Sequence, residues 1–384
     1  MIKKLIKKIL EKFGVFMYIS LIRNININPL NLTQPRILIS YLCSLFELDV
    51  TKPIGRTHYF EINEMLKIFS ERGYCIDLVN CNSCIQINKI KNIKYDIIFG
   101  FGEVFYQMSL LQPQAKTILY MTENHPIISE EEEVKRKDYY YMRHNKKVKF
   151  TRSGRFYTKI HLSKKYDHII TMSDLWPLQS QYNKIYSIFP TGLVNTNFVF
   201  AEKNHDLCKK KYLWMGSSGA IHKGLDLLVD IFSKKPDFHL YVCGLNSKDR
   251  AFLNYLAQNN IHDCGYVDIQ SNMFLEIVNK CTYIILPSCS EACSTSVVTG
   301  MLHGLIPIVM RDAGFNKLEN NALFFEDYQI DYMTKKIIEF SNYDNIYLSD
   351  LRENIYSWAS SHFSLNAFRD TFANIIDSII ELNV

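Results

Sequence analysis

The sequence predicts an α/β protein of two doubly wound halves facing a central cleft. Three observations carry this. Short apolar runs, each the length of one buried strand, alternate with segments of helical periodicity, the pattern of a parallel sheet covered on both faces. The alternation stops near residue 195 and restarts near residue 212. The length of 384 residues suits two domains. With 47% hydrophobic and 22% charged residues, the chain is excluded from the disordered, collagenous and disulfide-scaffold classes.

Taken in order, residues 2–13 read as an amphipathic helix, with Ile2, Leu5, Ile6, Ile9, Leu10 and Phe13 on one face and lysines on the other. Two readings stand open for it: a helix lying on an anionic membrane surface, or one packed on the body. Val15–Ile22 is too short to span a bilayer and has no small-residue cleavage site after it. A cytoplasmic chain with reduced thiols is therefore expected, peripheral to the inner face of a membrane if the first helix binds there. Cys81 and Cys84 have CxxC spacing but no second pair to complete a zinc site, so no metal is expected.

After Pro35, Arg36–Leu42, Cys75–Val79, Tyr95–Phe101, Lys116–Thr122, His168–Met172 and Ser187–Phe189 are strand candidates, and His58–Gly73 is helical in period. Asn195–Lys210 is the linker. Tyr212–Gly216, His239–Gly244, Cys264–Val267, Tyr283–Pro287, Ile306–Met310 and Ala322–Phe325 are the strands of the second half, and Leu365–Leu382 is a closing helix. The expected organisation is a basic segment 1–30, a first domain 31–195, a second domain 196–350 and a helical segment 351–384 packing back across the domains.

The first 23 residues hold six Lys or Arg against one acid, which accounts for the whole net charge of +5. The body is neutral on balance, which argues against nucleic acid as a partner. Charge within it is uneven, since Val134–Lys165 holds twelve Lys or Arg and only Asp138 as an acid, directly after Glu130–Glu133.

Ligands of open α/β sheets bind beyond the carboxyl ends of the strands. Two segments of the second half fall there. Gly216-Ser217-Ser218-Gly219-Ala220-Ile221-His222-Lys223-Gly224 follows a strand and opens a helix; its small residues allow close backbone approach and Lys223 offers charge to a phosphate. It lacks Walker A spacing, and no GxGxxG follows the first strand. The second segment, from Pro287 to Pro307, runs strand, loop with Glu291, hydroxyls Ser294, Thr295 and Ser296, helix, glycine, strand. Hydroxyls and free N–H groups at a helix start suit an anion, and a carboxylate beside them suits sugar hydroxyls.

Together these segments resemble the donor half of the GT-B glycosyltransferases, in particular the retaining family 4. The resemblance implies two Rossmann-like domains. It implies that Lys223 meets the diphosphate of a nucleotide-sugar donor, that Glu291 holds the donor sugar as a catalytic residue, and that the Ser294–Ser296 backbone binds phosphate. Gly216, Ser217 and His222 join the donor site. The chain departs from the family where a second Glu would hold the ribose, since Thr299 stands there. It departs again where an arginine would precede the lysine, since Ser217 and Ser218 stand there and leave His222 as a partial replacement. Gly304 and Pro307 are also separated by two residues rather than one.

By the same resemblance the first half binds the acceptor, with His125 facing the reacting sugar. Glu123 and His125 follow a strand, as does the Arg56-Thr57-His58 loop. The aromatic, basic stretch Tyr139–Lys165, with Arg152 and Arg155, reads either as a face for an anionic lipid-linked glycan or as a solvated helix face paired with Glu130–Glu133. No Asp-x-Asp occurs. The expected activity is transfer with retention, without metal or cofactor, in bacterial surface polysaccharide assembly. A non-catalytic partner subunit and a nucleotide-sugar epimerase are the alternatives.

Overall fold

The computed structural model describes residues 20–31, 33–43, 57–149, 156–179, 181–250 and 258–381. Residues 2–13, Arg56, Arg152 and Arg155 lie outside them.

Among the described residues seven strands form the first sheet: β1 (Leu21–Ile25), β2 (Arg36–Tyr41), β3 (Cys75–Asn80), β4 (Ile97–Gly100), β5 (Lys116–Met121), β6 (His168–Thr171) and β7 (Ile185–Ser187), in the order β1-β3-β2-β4-β5-β6-β7. All pairs are parallel except β1 with β3. The central strands are apolar on both faces, with Ile37–Ile39, Ile97–Phe99 and Ile118–Met121 buried, because helices cover both sides. β1 precedes the first strand expected from the sequence, Arg36–Leu42. LIRNI escapes a pattern search because it is a half-exposed edge strand with polar residues in its middle.

The second sheet is wholly parallel, β8 (Lys211–Met215), β9 (His239–Cys243), β10 (Ile261–Gly265), β11 (Tyr283–Leu286), β12 (Ile306–Met310) and β13 (Leu323–Phe325), ordered β10-β9-β8-β11-β12-β13. The order reverses between β8 and β11, and in the first sheet between β2 and β4, so each sheet has a crevice at that point. The third strand starts at Ile261, ahead of the expected Cys264, because its sequence IHDCG mixes polar residues into a half-buried strand.

Of the helices, α1 (Thr57–Glu71), α2 (Gly102–Leu111) and α3 (Pro126–His144) belong to the first half by sequence, and α4 (Leu225–Phe232), α5 (Asn272–Lys280), α6 (Thr295–Met301), α7 (Ile330–Ser341) and α8 (Asn345–His362) to the second. The last, α9 (Leu365–Glu381), returns to the first half. Phe368, Phe372, Ile376 and Ile379 enter its core, and Phe372 meets Phe69 edge-on at 5.9 Å between ring centroids. Arg369 reaches Glu64 at 2.7 Å and Arg72 reaches Asp377 at 2.5 Å. The two crossings of the chain lie side by side, with Gly192 N–H donating to Phe363 O at 3.1 Å. Among the described residues no helix is long and apolar enough to cross a membrane.

Candidate active site

The first wall of the cleft is the segment after β5. Proline at the first helical position fixes the start of α3 and places His125 at its N-cap. The His125 amide donates to Asn124 Oδ1 at 2.8 Å, and the Nε2 of its buried ring has no hydrogen-bond partner. Burial pushes the pKa of His125 down, against the pull of Glu131, so the imidazole is neutral near pH 7. Glu123 and Asn124 line the cleft beside it. Tyr157 closes the floor: its hydroxyl donates to Tyr120 O at 2.8 Å and accepts from Thr122 N–H at 2.9 Å.

The second wall is built at the crevice between β8 and β11. The turn after β8 is tied by Lys223 N–H to Gly219 O at 2.8 Å and by Trp214 Nε1 to Lys223 O at 3.2 Å. Gly224 ends it at φ +68°, where a Cβ would fall 2.3 Å from Pro287 O, so only glycine lets the two loops meet. Across that contact Lys223 Nζ lies 2.5 Å from Glu291 Oε1, with both side chains 5% exposed. Ser288 Oγ donates to the same carboxylate oxygen at 3.0 Å. His222 Nε2 faces Ser290 O at 2.7 Å, and Nδ1 faces Glu133 Oε2 and Cys289 Sγ, each at 3.3 Å. Burial opposes charge on this ring. Cys289, Glu133 and Glu291 outweigh it and raise its pKa to about 10, which fits two ring nitrogens facing oxygen acceptors.

The walls border a cleft open to solvent, lined by Thr122–Asn124, Ser129 and Tyr157 on one side and by His222 and Ser290–Ala292 on the other. The structure thus gathers Glu123, His222 and Glu291 around one space, with Lys223 bonded to Glu291 and His125 next to Asn124. Ser294 is the N-cap of α6, with Thr295 exposed and Ser296 half-buried; Ser294 and Ser296 hydroxyls meet at 3.0 Å, and neither end of that pair caps the helix. Gly216 is half-buried and Ser217 exposed at the mouth of the β8 turn.

Two expected residues sit elsewhere. Thr299 is buried and its hydroxyl accepts from Leu193 N–H at 3.2 Å, so it holds the crossing between the halves. His58 is half-buried at the start of α1 and does not line this cleft. Sequence reasoning missed the inner face of α3. Ser129, Glu133, Arg136, Tyr140 and Arg143 fall at i, i+4, i+7, i+11 and i+14, one face of a helix. That face turns to the second half: Ser129 meets Ser290 at 2.7 Å, Glu133 meets His222, Arg136 donates to Pro287 O at 3.0 Å, and Arg143 pairs with Asp226 and Asp230. The spacing was the available signal.

Residues 199–358 match the family described as glycosyl transferases group 1. The chain is related to that family. Searched by sequence, it matches none of the curated proteins. Among solved structures it resembles sucrose-phosphate synthase from Thermosynechococcus elongatus, with 12% identity, 91% of this chain and 100% of that one covered, and a TM-score of 0.62. It also resembles Anabaena HepE in complex with UDP-glucose, with 13% identity, coverage of 89% and 99%, and a TM-score of 0.58. A glycosyltransferase from Rickettsia africae has 17% identity, coverage of 91% and 99%, and a TM-score of 0.56. At such identities the likeness is one of fold: two Rossmann-like domains around a cleft, the GT-B arrangement. The family match spans the second wall, from before β8 into α8.

Proposed function

We propose that the protein is a glycosyltransferase that moves a sugar from a nucleotide-sugar donor to a glycan acceptor with retention of configuration. One observation carries the reading: Lys223 and Glu291, from separate loops at the crevice of the second sheet, meet at 2.5 Å on one wall of a cleft whose other wall carries Glu123 and Asn124. The family match and the HepE complex with UDP-glucose support the donor class.

In this reading the donor diphosphate takes the Lys223 ammonium, and Glu291 turns from Lys223 to the hydroxyls of the donor sugar. Fixed charge at the leaving group favours departure of the nucleoside diphosphate. The sugar then carries oxocarbenium character between leaving group and acceptor. Neutral His125 accepts a hydrogen bond from the sugar, and the departing phosphate takes the acceptor proton, so no metal ion or added cofactor is required. The acceptor enters on the first wall, by Glu123. The sequence outside the described residues supports a lipid-linked acceptor: Arg152 and Arg155 for its charge, and residues 2–13 for the anionic face of a cytoplasmic membrane during surface polysaccharide assembly.

Thermal-shift screening against nucleoside diphosphates and their sugars tests the donor site, because a bound ligand raises stability by RT ln(1 + [L]/Kd). Turnover of the stabilising nucleotide sugar, with NMR of the product anomer, tests transfer and retention; an inverted anomer removes the retaining mechanism. A non-catalytic partner subunit is the second reading, favoured by the engagement of Thr299 with Leu193. Stabilisation by donor with no transfer to any acceptor supports it.

A further inference from the structure

We propose that Cys243 and Cys264 form a peroxide-responsive dithiol, a modification site joined reversibly as a disulfide beside the Gly216 turn. Neither cysteine belongs to the site described above. They come from neighbouring parallel strands, Cys243 at the end of β9 and Cys264 next to last in β10. Val242 pairs with Asp263 and Cys243 with Gly265, so Cys264 is an extra residue, a bulge in the edge strand β10. Both side chains lie on the face that α5 covers. Cys243 is buried with Phe274, Ile277 and Val278, and half-buried Cys264 packs on the same cluster. The two thiols are hydrogen-bonded to each other.

The pair is asymmetric in the way this chemistry needs. Cys264 is the more accessible thiol, and Cys243 is 2% exposed. The Cys243 thiol donates to Cys264 and, with Val242 N–H and the charge of Lys280, holds its pKa below the ordinary thiol value against burial and Asp263. The accessible thiol of lower pKa is the one that attacks. The same hydrogen bond and burial keep Cys243 a neutral thiol. In the first step the Cys264 thiolate attacks hydrogen peroxide: an S–O bond forms, the O–O bond breaks and hydroxide leaves. In the second the Cys243 sulfur attacks the sulfenic sulfur of Cys264: the S–S bond forms, the S–O bond breaks and the hydroxyl leaves as water with the Cys243 proton. Two thiols lose two electrons, and peroxide is reduced to two waters. A small-molecule dithiol reverses the reaction by exchange. Among the described residues no three metal-ligating side chains converge, so two adjoining thiols suit redox chemistry rather than a metal. The bond bears on the donor wall. Cys243 O accepts from Gly216 N–H at 3.0 Å, Gly265 O accepts from Gly244 N–H at 2.6 Å, and a Cβ on Gly244 would fall 2.0 Å from Gly216 O. The ends of β9 and β10 therefore have no slack against the first residue of the Lys223 turn. This coupling rests on the donor-site reading above; the dithiol does not.

The test treats the reduced full chain with hydrogen peroxide, blocks the remaining thiols with N-ethylmaleimide in urea and maps the digest by mass spectrometry. The expected product is a pair of peptides joined through Cys243 and Cys264 that dithiothreitol separates. Cys243→Ser should stop the reaction at a Cys264 sulfenic acid, which dimedone captures. Oxidation of the exposed Cys84 while Cys243 and Cys264 both still take the maleimide overturns the proposal, as does a disulfide joining either of them to another cysteine. Those two outcomes are read on the wild type, so they hold even where the variant does not fold. Calorimetry with UDP then compares the oxidised and reduced chains: Kd should weaken about fivefold or more on oxidation, the low end of coupling between two sites. Equal Kd values overturn the coupling to the donor wall. Absence of UDP binding to the reduced chain removes the donor-site reading and leaves the mapped dithiol standing.

Discussion

The first half offers the cleft an amide, two hydroxyls and one acid, Asn124, Thr122, Tyr157 and Glu123, with the imidazole of His125 buried next to Asn124. At the carboxyl ends of β8 and β11 the second half offers charges that already have partners, Lys223 with Glu291 of the same half and His222 with Glu133 of α3 across the cleft. Both walls stand at strand ends of doubly wound sheets, so the fold does not set this contrast. Local partners do. Burial alone lowers the charge on His125, whereas the acids and thiol around His222 reverse the same burial. The contrast fits the division of labour proposed above, in which the charged wall serves the leaving group and the other wall serves the sugar.

The division breaks most visibly at Lys223 and His125. Lys223→Met should abolish the thermal shift by nucleoside diphosphate and cost about 100-fold or more in turnover, the scale seen when one donor to a developing anion is removed. His125→Asn should cost about tenfold in kcat, the scale of one lost hydrogen bond, while the diphosphate shift persists. Loss of the shift in His125→Asn would mean that the first wall also holds the leaving group.

Stability sharpens the same contrast. Glu291→Gln leaves a buried ammonium without its acid and should cost about 3 kcal/mol in urea unfolding. Lys223→Met combined with Glu291→Gln should cost less than the sum of the two, since a buried pair is dearer broken than replaced. Strict additivity would show that the 2.5 Å contact is not maintained in solution.

A smaller effect lies in the pH dependence, where the histidines of the two kinds should act in opposite directions. His222 has its pKa raised from 6.5 to about 10, so its stabilisation is full below pH 6.5 and is lost as pH climbs toward 10. His303, at the crossing, accepts from Asn195 N–H at 3.0 Å and has its pKa lowered by burial to about 4. Its stabilisation is present above pH 6.5 and is lost as pH falls toward 4. Tm measured against pH should lose its alkaline slope in His222→Asn and part of its acid slope in His303→Asn. An unchanged alkaline slope in His222→Asn would show that the ring is not held as a cation.

Much of this was legible because strand ends follow from apolar runs. The Lys223 turn and the Glu291 loop each follow such a strand, but that these strands neighbour each other at the order reversal is a property of the sheet, anticipated only by the family resemblance. Other features had no such signal. β1 is an edge strand with Arg23 and Asn24 in its middle, and the pattern of a buried strand does not apply. The inner face of α3 was masked by composition: twelve basic residues in one stretch suggest a solvated surface, whereas Arg136 is among the most buried large side chains. Contact across the cleft, rather than local pattern, decides which charges of that helix are interior.

Thr299 gives the finest test of where the charged wall ends. Family resemblance puts an acid at this position on the ribose of the donor, but here the hydroxyl accepts from Leu193 N–H at 3.2 Å, one turn before His303 accepts from Asn195 N–H. Thr299→Val keeps the shape and β-branching of the side chain and removes only that acceptor. The Leu193 amide is then left unpaired beside the crossing, at a cost of about 1 kcal/mol. Urea unfolding should register this loss, and the Kd for nucleoside diphosphate should stay within about twofold, because a lost interaction of the usual size would already exceed that. A tenfold weaker Kd would place Thr299 on the donor and extend the charged wall along α6. An unchanged Kd with the stability loss would confine that wall to the loops of Lys223 and Glu291, leaving α6 to fasten the crossing between the two halves.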